Sequence, residues 1–238
     1  MLRESLTLSA LARRLLPPRC VVCDSQDEPR RIAVCAACEN DFFAATVQRC
    51  ERCAIRMPPP HQASSLCGRC LADTPYFDAT TALADYASPV DGMVMAMKFT
   101  ARLDLASFFG RLLAQRVPAG ELPDAIVISV PLAYERMRQR GFNQSHQIAR
   151  AFAAASSRRL VPDQLLRVRH TPPQLSLALK ERRRNVRDAF AVQGIVKDES
   201  IFVVDDVMTT GSTLNEIARI LKRAGAARVH NLIAARTP

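Results

Sequence analysis

The sequence predicts an α/β protein with a mostly parallel sheet, preceded by a small cysteine-rich module. Its 238 residues exceed one typical domain of about 150 residues, so they fit one full domain and a small module. All eight cysteines lie before residue 71, and from residue 77 onward short apolar runs alternate with helical patterns. The predicted organisation is therefore a helix over 1–16, a metal-binding module over 17–75 and an α/β domain over 76–238.

The first 16 residues carry leucines at a roughly helical spacing, with Glu4 among them. This pattern predicts an amphipathic helix that packs on the body of the protein, and contact with a membrane surface is the less favoured alternative. No apolar run is long enough for a transmembrane helix, and no secretory signal is visible. Together with the many thiols, these features predict a protein of the reducing cytoplasm.

The eight cysteines form four Cys-x-x-Cys pairs, and none is left over. This gap lets two thiolates of one tight turn reach one tetrahedral zinc ion, so the sequence predicts two structural Zn²⁺ sites of four thiolates each. Intervals of 11, 11 and 13 residues favour pairing in succession, and a cross-braced arrangement stays possible. A redox role would need one such motif rather than four. The ligands are Cys20, Cys23, Cys35, Cys38, Cys50, Cys53, Cys67 and Cys70.

Positive charge is concentrated in one quarter of the chain. The formal net charge is +10, and the segment 130–190 holds 13 lysines and arginines against four acids. Such a block attracts polyanions, whether nucleic acid, an anionic membrane or a polyphosphate substrate, and the sum alone does not distinguish them. Two zinc–thiolate sites with a charge of minus two each would lower the net charge from +10 to about +6.

The predicted sheet places the chemistry at the ends of two strands. Strands are expected over 79–86, 125–130, 201–204 and 229–234, and helices over 93–115, 143–155 and 214–224. Ligands of parallel sheets bind beyond the carboxyl ends of the strands, here just after Val130 and just after Val204. The segment 161–194 contains three prolines and a dense basic run. It is predicted to be an excursion of the chain away from the α/β pattern, or a hood on that domain.

Residues 201–213 read IFVVDDVMTTGST, a buried strand followed by two carboxylates, a hydroxyl-rich turn and a helix. Gly211 allows a tight turn, and N–H groups at the start of the helix point toward an anion. Asp205 and Asp206 would repel a phosphate but suit the hydroxyls of a ribose or a divalent cation. The pattern therefore predicts a sugar phosphate, with hydroxyl donors at Thr209, Thr210, Ser212 and Thr213.

A purely structural alternative exists for part of this string. Thr213 and Glu216 have the spacing of a capping box, which would explain one hydroxyl and one carboxylate at the start of the helix. It would not explain the remaining hydroxyls, the glycine and the paired acids. The sequence contains neither a GxxxxGK[ST] loop nor a GxGxxG turn, which argues against a P-loop ATPase and a dinucleotide enzyme.

The string 201–213 resembles the signature of the type I phosphoribosyltransferases, where it holds the ribose 5-phosphate of phosphoribosyl pyrophosphate. A second string, Arg140-Gly141-Phe142-Asn143-Gln144 preceded by Pro131, resembles the hallmark of the ComF family of competence proteins. The resemblance implies a type I phosphoribosyltransferase fold with zinc ribbons, phosphoribosyl pyrophosphate and Mg²⁺ as ligands, and a part in DNA uptake and natural transformation. Further matches to the family are Lys98, Phe99, Arg167, Arg169, Thr171, Gln174, Asn185 and Phe190.

The resemblance also implies roles for individual residues. Asp205 and Asp206 would hold the ribose, while Arg140 and Mg²⁺ would draw off pyrophosphate. Lys98 would reach the same phosphates, or alternatively extend its ammonium group to solvent. For Asn143 and Phe142 a capping and a core role are as well supported as a functional one. The sequence indicates no acceptor for the phosphoribosyl group and no general base.

A rival hypothesis makes the protein an accessory module that binds single-stranded DNA. In it the zinc ribbons and the basic segment 167–187 grip phosphates, and the nucleotide fold is not catalytic. The few aromatic residues, 5% of the chain, weaken this hypothesis because base stacking needs them. Proteins of DNA uptake are further partners, which the resemblance to the ComF family implies.

Overall fold

The structure is a computed structural model that describes residues 19–26, 33–58, 64–118, 120–169 and 186–238. The predicted helix over 1–16 lies outside these residues, as do residues 180–185 of the basic run 180–187. The helices are α1 (Ala36–Phe43), α2 (Gly68–Ala72), α3 (Val90–Phe99), α4 (Leu103–Arg116), α5 (Tyr134–Arg140), α6 (Gln144–Ser156) and α7 (Ser212–Arg223). The strands are β1 (Ala79–Asp85), β2 (Ile126–Ser129), β3 (Leu165–Arg167), β4 (Phe190–Val192), β5 (Ser200–Met208) and β6 (Arg228–Arg236).

Four strands form a parallel sheet in the order β1-β6-β5-β2, which confirms the predicted fold class. Apart from the partly buried Val207, the apolar residues of the two central strands are buried, as expected for strands covered on both faces. On one face, Phe152 of α6 packs edge-on against Phe202 of β5 at 5.5 Å between ring centroids. Helix α4 approaches α6 closely at Gly110, where a Cβ atom would lie 2.5 Å from the Cβ of Ala151.

Three predicted elements differ from the structure. The single helix predicted over 93–115 is wrong, because the chain forms α3 and α4 with a break at Ala101, whose φ is +52°. Strand β5 runs on to Met208, so the acidic pair lies inside the strand rather than after it. Between β2 and Gly141, where the sequence predicts no helix or strand, the chain forms α5, and β3 and β4 pair as an antiparallel ribbon within the predicted hood.

The chain divides into one compact unit that ends at Ala44 and a second, Ala45–Pro238. The second group of cysteines therefore folds with the sheet. Cys50, Cys53 and Cys70 belong to the same apolar core as Val203 of β5 and Ile233 of β6. The sequence boundary at residue 75 marks the end of the cysteine motifs and stays a prediction. No helix of the described ranges is both long and apolar enough to span a bilayer.

Candidate functional site

The two segments expected to carry the chemistry meet at one edge of the sheet. Strands β2 and β5 are parallel neighbours, and the N–H of Val130 donates to the carbonyl of Val204 at 3.0 Å. The segment that follows β2 therefore begins beside the acidic pair of β5. Asn143 joins them further, because its Nδ2 donates to the carbonyl of Val130 at 2.9 Å. Its Oδ1 caps α6 by accepting from the N–H of Ser145 at 3.0 Å, so Asn143 has the capping role.

The start of α6 contacts both carboxylates of β5. The Oγ of Ser145 donates to Oδ1 of Asp205 at 2.8 Å, and Nε2 of Gln144 donates to Oδ2 of Asp206 at 3.3 Å. Lys98, at the end of α3, places its Nζ 2.5 Å from the same Oδ2 of Asp206. Helices α3 and α6 thus both contact the acidic pair of β5, although the three elements are distant in sequence.

The surroundings of the acidic pair raise the pKa of Asp205. Burial, and to a smaller extent the neighbouring charge of Asp206, raise the pKa of Asp205 from 3.8 to about 7. The hydrogen bond from Ser145 and the charge of Lys98 act in the opposite direction. Two adjacent carboxyl groups, Asp206 buried and Asp205 partly buried, are unfavourable for folding, which is typical of a binding or catalytic site.

Arg140 lies at the end of α5 and is linked to the acidic pair through the side chain of Gln144. Its Nη1 donates to Oε1 of Gln144, whose amide nitrogen holds Asp206. The guanidinium also lies over the ring of Phe99, 5.4 Å from the centroid. Burial lowers the pKa of Arg140, and the charge of Asp206 offsets part of this effect. Gly141 caps the end of α5 with a φ of +80°, a left-handed conformation that favours glycine.

The hydroxyl-rich turn forms the start of α7. Gly211 has a φ of +79° and is the residue that precedes the helix. The hydroxyls of Thr210 and Ser212 lie 2.8 Å apart, and the N–H of Ser212 points to Oγ1 of Thr210 at 3.3 Å. We call residues 209–213 the phosphate loop. It places hydroxyls and helix N–H groups after the end of the strand that carries the acidic pair, the arrangement that suits an anion.

The capping-box interpretation of Thr213 and Glu216 is wrong for the carboxylate. Glu216 is buried and accepts from the N–H of Asp188 at 2.8 Å. It also forms an ion pair with Arg219, 2.5 Å between Nη2 and Oε1. Glu216 therefore ties α7 to the segment before β4 and does not close the start of its own helix.

Sequence analysis missed two groups of residues at this site. Gln144 and Ser145 follow a helix cap, and nothing local indicates that they contact strand residues about 60 positions later. Arg69 and Arg236 hold the carbonyls of the phosphate loop, the former at 3.1 Å from the oxygen of Thr210. An isolated arginine at the end of an apolar strand was the available signal for Arg236.

The cysteines form two groups, and each group has the geometry of a four-thiolate metal site. Within each group all four sulfurs lie within 4.8 Å of one another. The Sγ atoms of Cys23 and Cys35 are 3.7 Å apart and those of Cys53 and Cys67 are 3.6 Å apart. Sulfurs about 2.3 Å from one zinc ion would lie about 3.8 Å apart at tetrahedral angles. The thiols fit Zn²⁺, and the pairs combine in succession: Cys20, Cys23, Cys35 and Cys38, then Cys50, Cys53, Cys67 and Cys70.

Backbone groups support both cysteine sites. The N–H of Cys35 points to Sγ of Cys20 at 3.4 Å, and the N–H of Cys67 points to Sγ of Cys50 at 3.3 Å. All eight cysteines are free of disulfides. N–H groups directed at sulfur stabilise thiolate ligands and fix their orientation. The two sites are therefore built alike, each from two turns that supply two ligands.

Comparison with known proteins agrees with this architecture. The sequence matches the family described as phosphoribosyl transferase domain over residues 108–238, and the double zinc ribbon domain over residues 11–71. Fold, site and matches together define a phosphoribosyltransferase-type domain that carries a double zinc ribbon. Among solved structures, a glutamine phosphoribosylpyrophosphate amidotransferase from B. subtilis aligns with 24% identity and a TM-score of 0.41, covering 59% of this chain and 30% of that one.

Curated relatives are similar over most of the chain. The DNA utilization protein YhgH of Escherichia coli O6:H1 is 35% identical over 222 residues, which cover 90% of this chain and 95% of the relative. Competence protein F of Haemophilus influenzae is 30% identical over 225 residues, covering 89% and 93%. The chain belongs to the ComF family of competence proteins.

Proposed function

We propose that the protein binds phosphoribosyl pyrophosphate together with Mg²⁺ and transfers the phosphoribosyl group to an acceptor. One observation carries this proposal: Asp205 and Asp206 lie near the end of a buried strand, two residues before the phosphate loop, and Lys98 and Gln144 both contact Asp206. The arrangement combines hydrogen-bond acceptors for a diol with donors for a phosphate. These are the two ends of a ribose 5-phosphate.

Each group has a defined role in this proposal. Asp205 and Asp206 accept hydrogen bonds from the ribose hydroxyls, and the phosphate loop donates to the 5-phosphate. Arg140, held by Gln144, faces the pyrophosphate. The anomeric carbon–oxygen bond to pyrophosphate breaks as the acceptor atom bonds to that carbon, so catalysis is positioning and charge stabilisation. Bound Mg²⁺ supplies positive charge to the leaving pyrophosphate.

Lys98 changes partners in this proposal. In the free protein its ammonium group neutralises Asp206 at 2.5 Å. When the ribose and the cation engage that carboxylate, Lys98 is released and its charge becomes available to the phosphate oxygens. The ion pair therefore stores a positive charge beside the site without leaving the acidic pair unpaired.

We place this activity in DNA uptake, and the protein in the cytoplasm. The printed names of the relatives, competence protein F and DNA utilization protein, support the process. Eight free cysteines in two metal-type clusters suit a reducing compartment. Proteins of the uptake machinery are the partners that follow from this placement.

Calorimetric titration of the zinc-loaded protein with phosphoribosyl pyrophosphate, with and without Mg²⁺, tests the proposal. Pyrophosphate release across a panel of bases and amines then identifies the acceptor. Asp205→Asn should lower affinity at least tenfold, whereas the exposed Asp198→Asn is the matched control and should not change it. Unchanged affinity of Asp205→Asn would show that the site is wrongly assigned.

One observation favours binding of single-stranded DNA as a second function. Helix α5 has no buried residue and presents Arg136, Arg138 and Arg140. The guanidinium of Arg138 lies 5.9 Å from the ring of the exposed Tyr134. Arginines interleaved with aromatic rings are suited to phosphates and stacked bases. Arg136→Gln with Arg138→Gln should weaken DNA binding and flatten its salt dependence, while Asp205→Asn should leave it intact.

A further inference from the structure

Two arginines that lie in or beside the second cysteine site donate hydrogen bonds to backbone carbonyls at the start of the phosphate loop. Arg69 lies between Cys67 and Cys70, and its Nη2 donates to the carbonyl of Thr210 at 3.1 Å. Arg236, at the end of β6, donates from Nε to the carbonyl of Cys53 at 3.0 Å. The Nη1 of Arg236 donates to the carbonyls of Met208 and Thr209. Three successive carbonyls are thus held by two side chains.

These contacts determine where the loop N–H groups point. A trans peptide is planar, and its C=O and N–H point in opposite directions. Because the carbonyls of Met208, Thr209 and Thr210 face the two arginines, the N–H groups of the following residues face away from them. Within the described ranges, the N–H groups of Thr210 and Gly211 donate to no other residue. They are the donors that an anion in the loop would use.

Arg236 is also linked to the cysteine site by charge. The side chain of Arg236 is buried, and its Nε donates to the carbonyl of Cys53. No carboxylate pairs with Arg236 in the described part of the chain, where its partners are carbonyl oxygens. Four thiolates around one divalent ion carry a net charge of minus two, which compensates a nearby buried cation. Zinc in the second site therefore favours the position that Arg236 occupies.

We propose that the second cysteine site and the phosphate loop are one coupled unit, in which Arg69 and Arg236 are positioning residues. Zinc in this site holds the turn that carries Arg69 and the carbonyl that orients Arg236, and these hold the loop in the form that receives an anion. By linkage, an anion in the loop stabilises zinc in the second site by the same factor. The identity of the anion rests on the proposed function, whereas the coupling of metal site and loop does not.

The first experiment needs no ligand. Order parameters of the Thr210 and Gly211 amides are measured by ¹⁵N relaxation in the zinc-loaded protein and in Arg69→Ala, which keeps all four thiols and alters an exposed side chain. The values should fall from about 0.85 to below about 0.6 in the variant. Arg56→Ala is the matched control, because Arg56 also belongs to the second site but pairs with Asp85. Unchanged order parameters in Arg69→Ala would overturn the proposal.

The second experiment measures the linkage. In a Cys35→Ser background, which disables the first site, a chromogenic chelator reports zinc released from the second site alone. Ribose 5-phosphate should slow this release about tenfold, and less than twofold when Arg69→Ala is added. Ribose 5-phosphate that binds without slowing release would overturn the coupling. No binding to the zinc-loaded wild type would instead contradict the proposed function, and the order parameters would still decide the coupling.

Discussion

Lys98 and Asp206 form a largely buried ion pair at the mouth of the site, with Nζ 2.5 Å from Oδ2 and side-chain exposures of 20% and 7%. Asp206 follows another carboxylate, so the two charges repel each other at short range. The ammonium group offsets this repulsion in the free protein. Removing one partner of such a pair leaves an uncompensated charge, which is costly.

We predict that Lys98→Met weakens binding of phosphoribosyl pyrophosphate about tenfold, the loss of one charge-assisted contact. The variant also loses the positive charge that lowers the pKa of Asp205, so that pKa rises above about 7. Calorimetry gives the affinity, and its pH dependence reports the pKa. Lys222→Met is the matched control, since Lys222 forms a comparable ion pair with Asp78 at 2.7 Å outside the site. Equal affinities of the two variants would contradict the role of Lys98.

The raised pKa of Asp205 predicts a specific dependence of stability on pH. In the folded protein the carboxyl group titrates near pH 7, and in the unfolded chain near its ordinary 3.8. Between these values the folded state holds more protons, so this group's contribution to the free energy of unfolding falls as pH rises. Asp205→Asn lacks the effect. Its melting temperature, relative to wild type in the absence of Mg²⁺, should therefore rise between pH 5.5 and 8.

Asp198→Asn provides the reference for this comparison, because it removes an exposed acid of the same type. Its melting temperature should differ from wild type by a constant amount over the same range. A constant difference for Asp205→Asn as well would show that the carboxyl group titrates normally in the folded state.

The sequence predicted the parallel sheet and the edge where the site lies, because the signals for both are contained in short segments of the chain. Strands 79–86, 125–130 and 229–234 are apolar runs bounded by polar segments, so their existence depends on neighbouring residues. The string 201–213 keeps its acids, hydroxyls and glycine within one short segment, and the strand at its start determines its place in the sheet. These signals do not depend on distant contacts.

What could not be predicted depends on contacts between distant segments. Ser145 meets Asp205 only because β2 and β5 are neighbours, and polar residues at a helix start are typical of caps in any protein. The break between α3 and α4 lies at Ala101, and alanine has no preference for turns. The spacing of the cysteines allowed two pairings, and the fold of each turn decides between them.

A double-mutant cycle tests the link between Arg140 and Gln144. Gln144 accepts from Arg140 and donates to Asp206, so it positions both groups at once. Arg140→Gln and Gln144→Leu should each weaken binding of phosphoribosyl pyrophosphate. The double variant should lose less than the sum of the two, with a coupling of about 0.5–3 kcal/mol. Arg140→Gln combined with Lys222→Met should be additive within about 0.5 kcal/mol, and additivity in both pairs would exclude the proposed link.

Gly211→Ala should impair anion binding through backbone conformation. Gly211 has a φ of +79°, which costs a residue with a Cβ atom about 1–2 kcal/mol. The new methyl group would also lie 2.5 Å from Cε of Met208, but that atom is the flexible end of a side chain and can move. Affinity for ribose 5-phosphate should therefore fall about tenfold, and Gly211→Asn should lose less because asparagine tolerates this conformation. Gly92→Ala, within α3 and facing open space, should leave affinity unchanged. Equal losses in Gly211→Asn and Gly211→Ala would point to the side-chain clash instead.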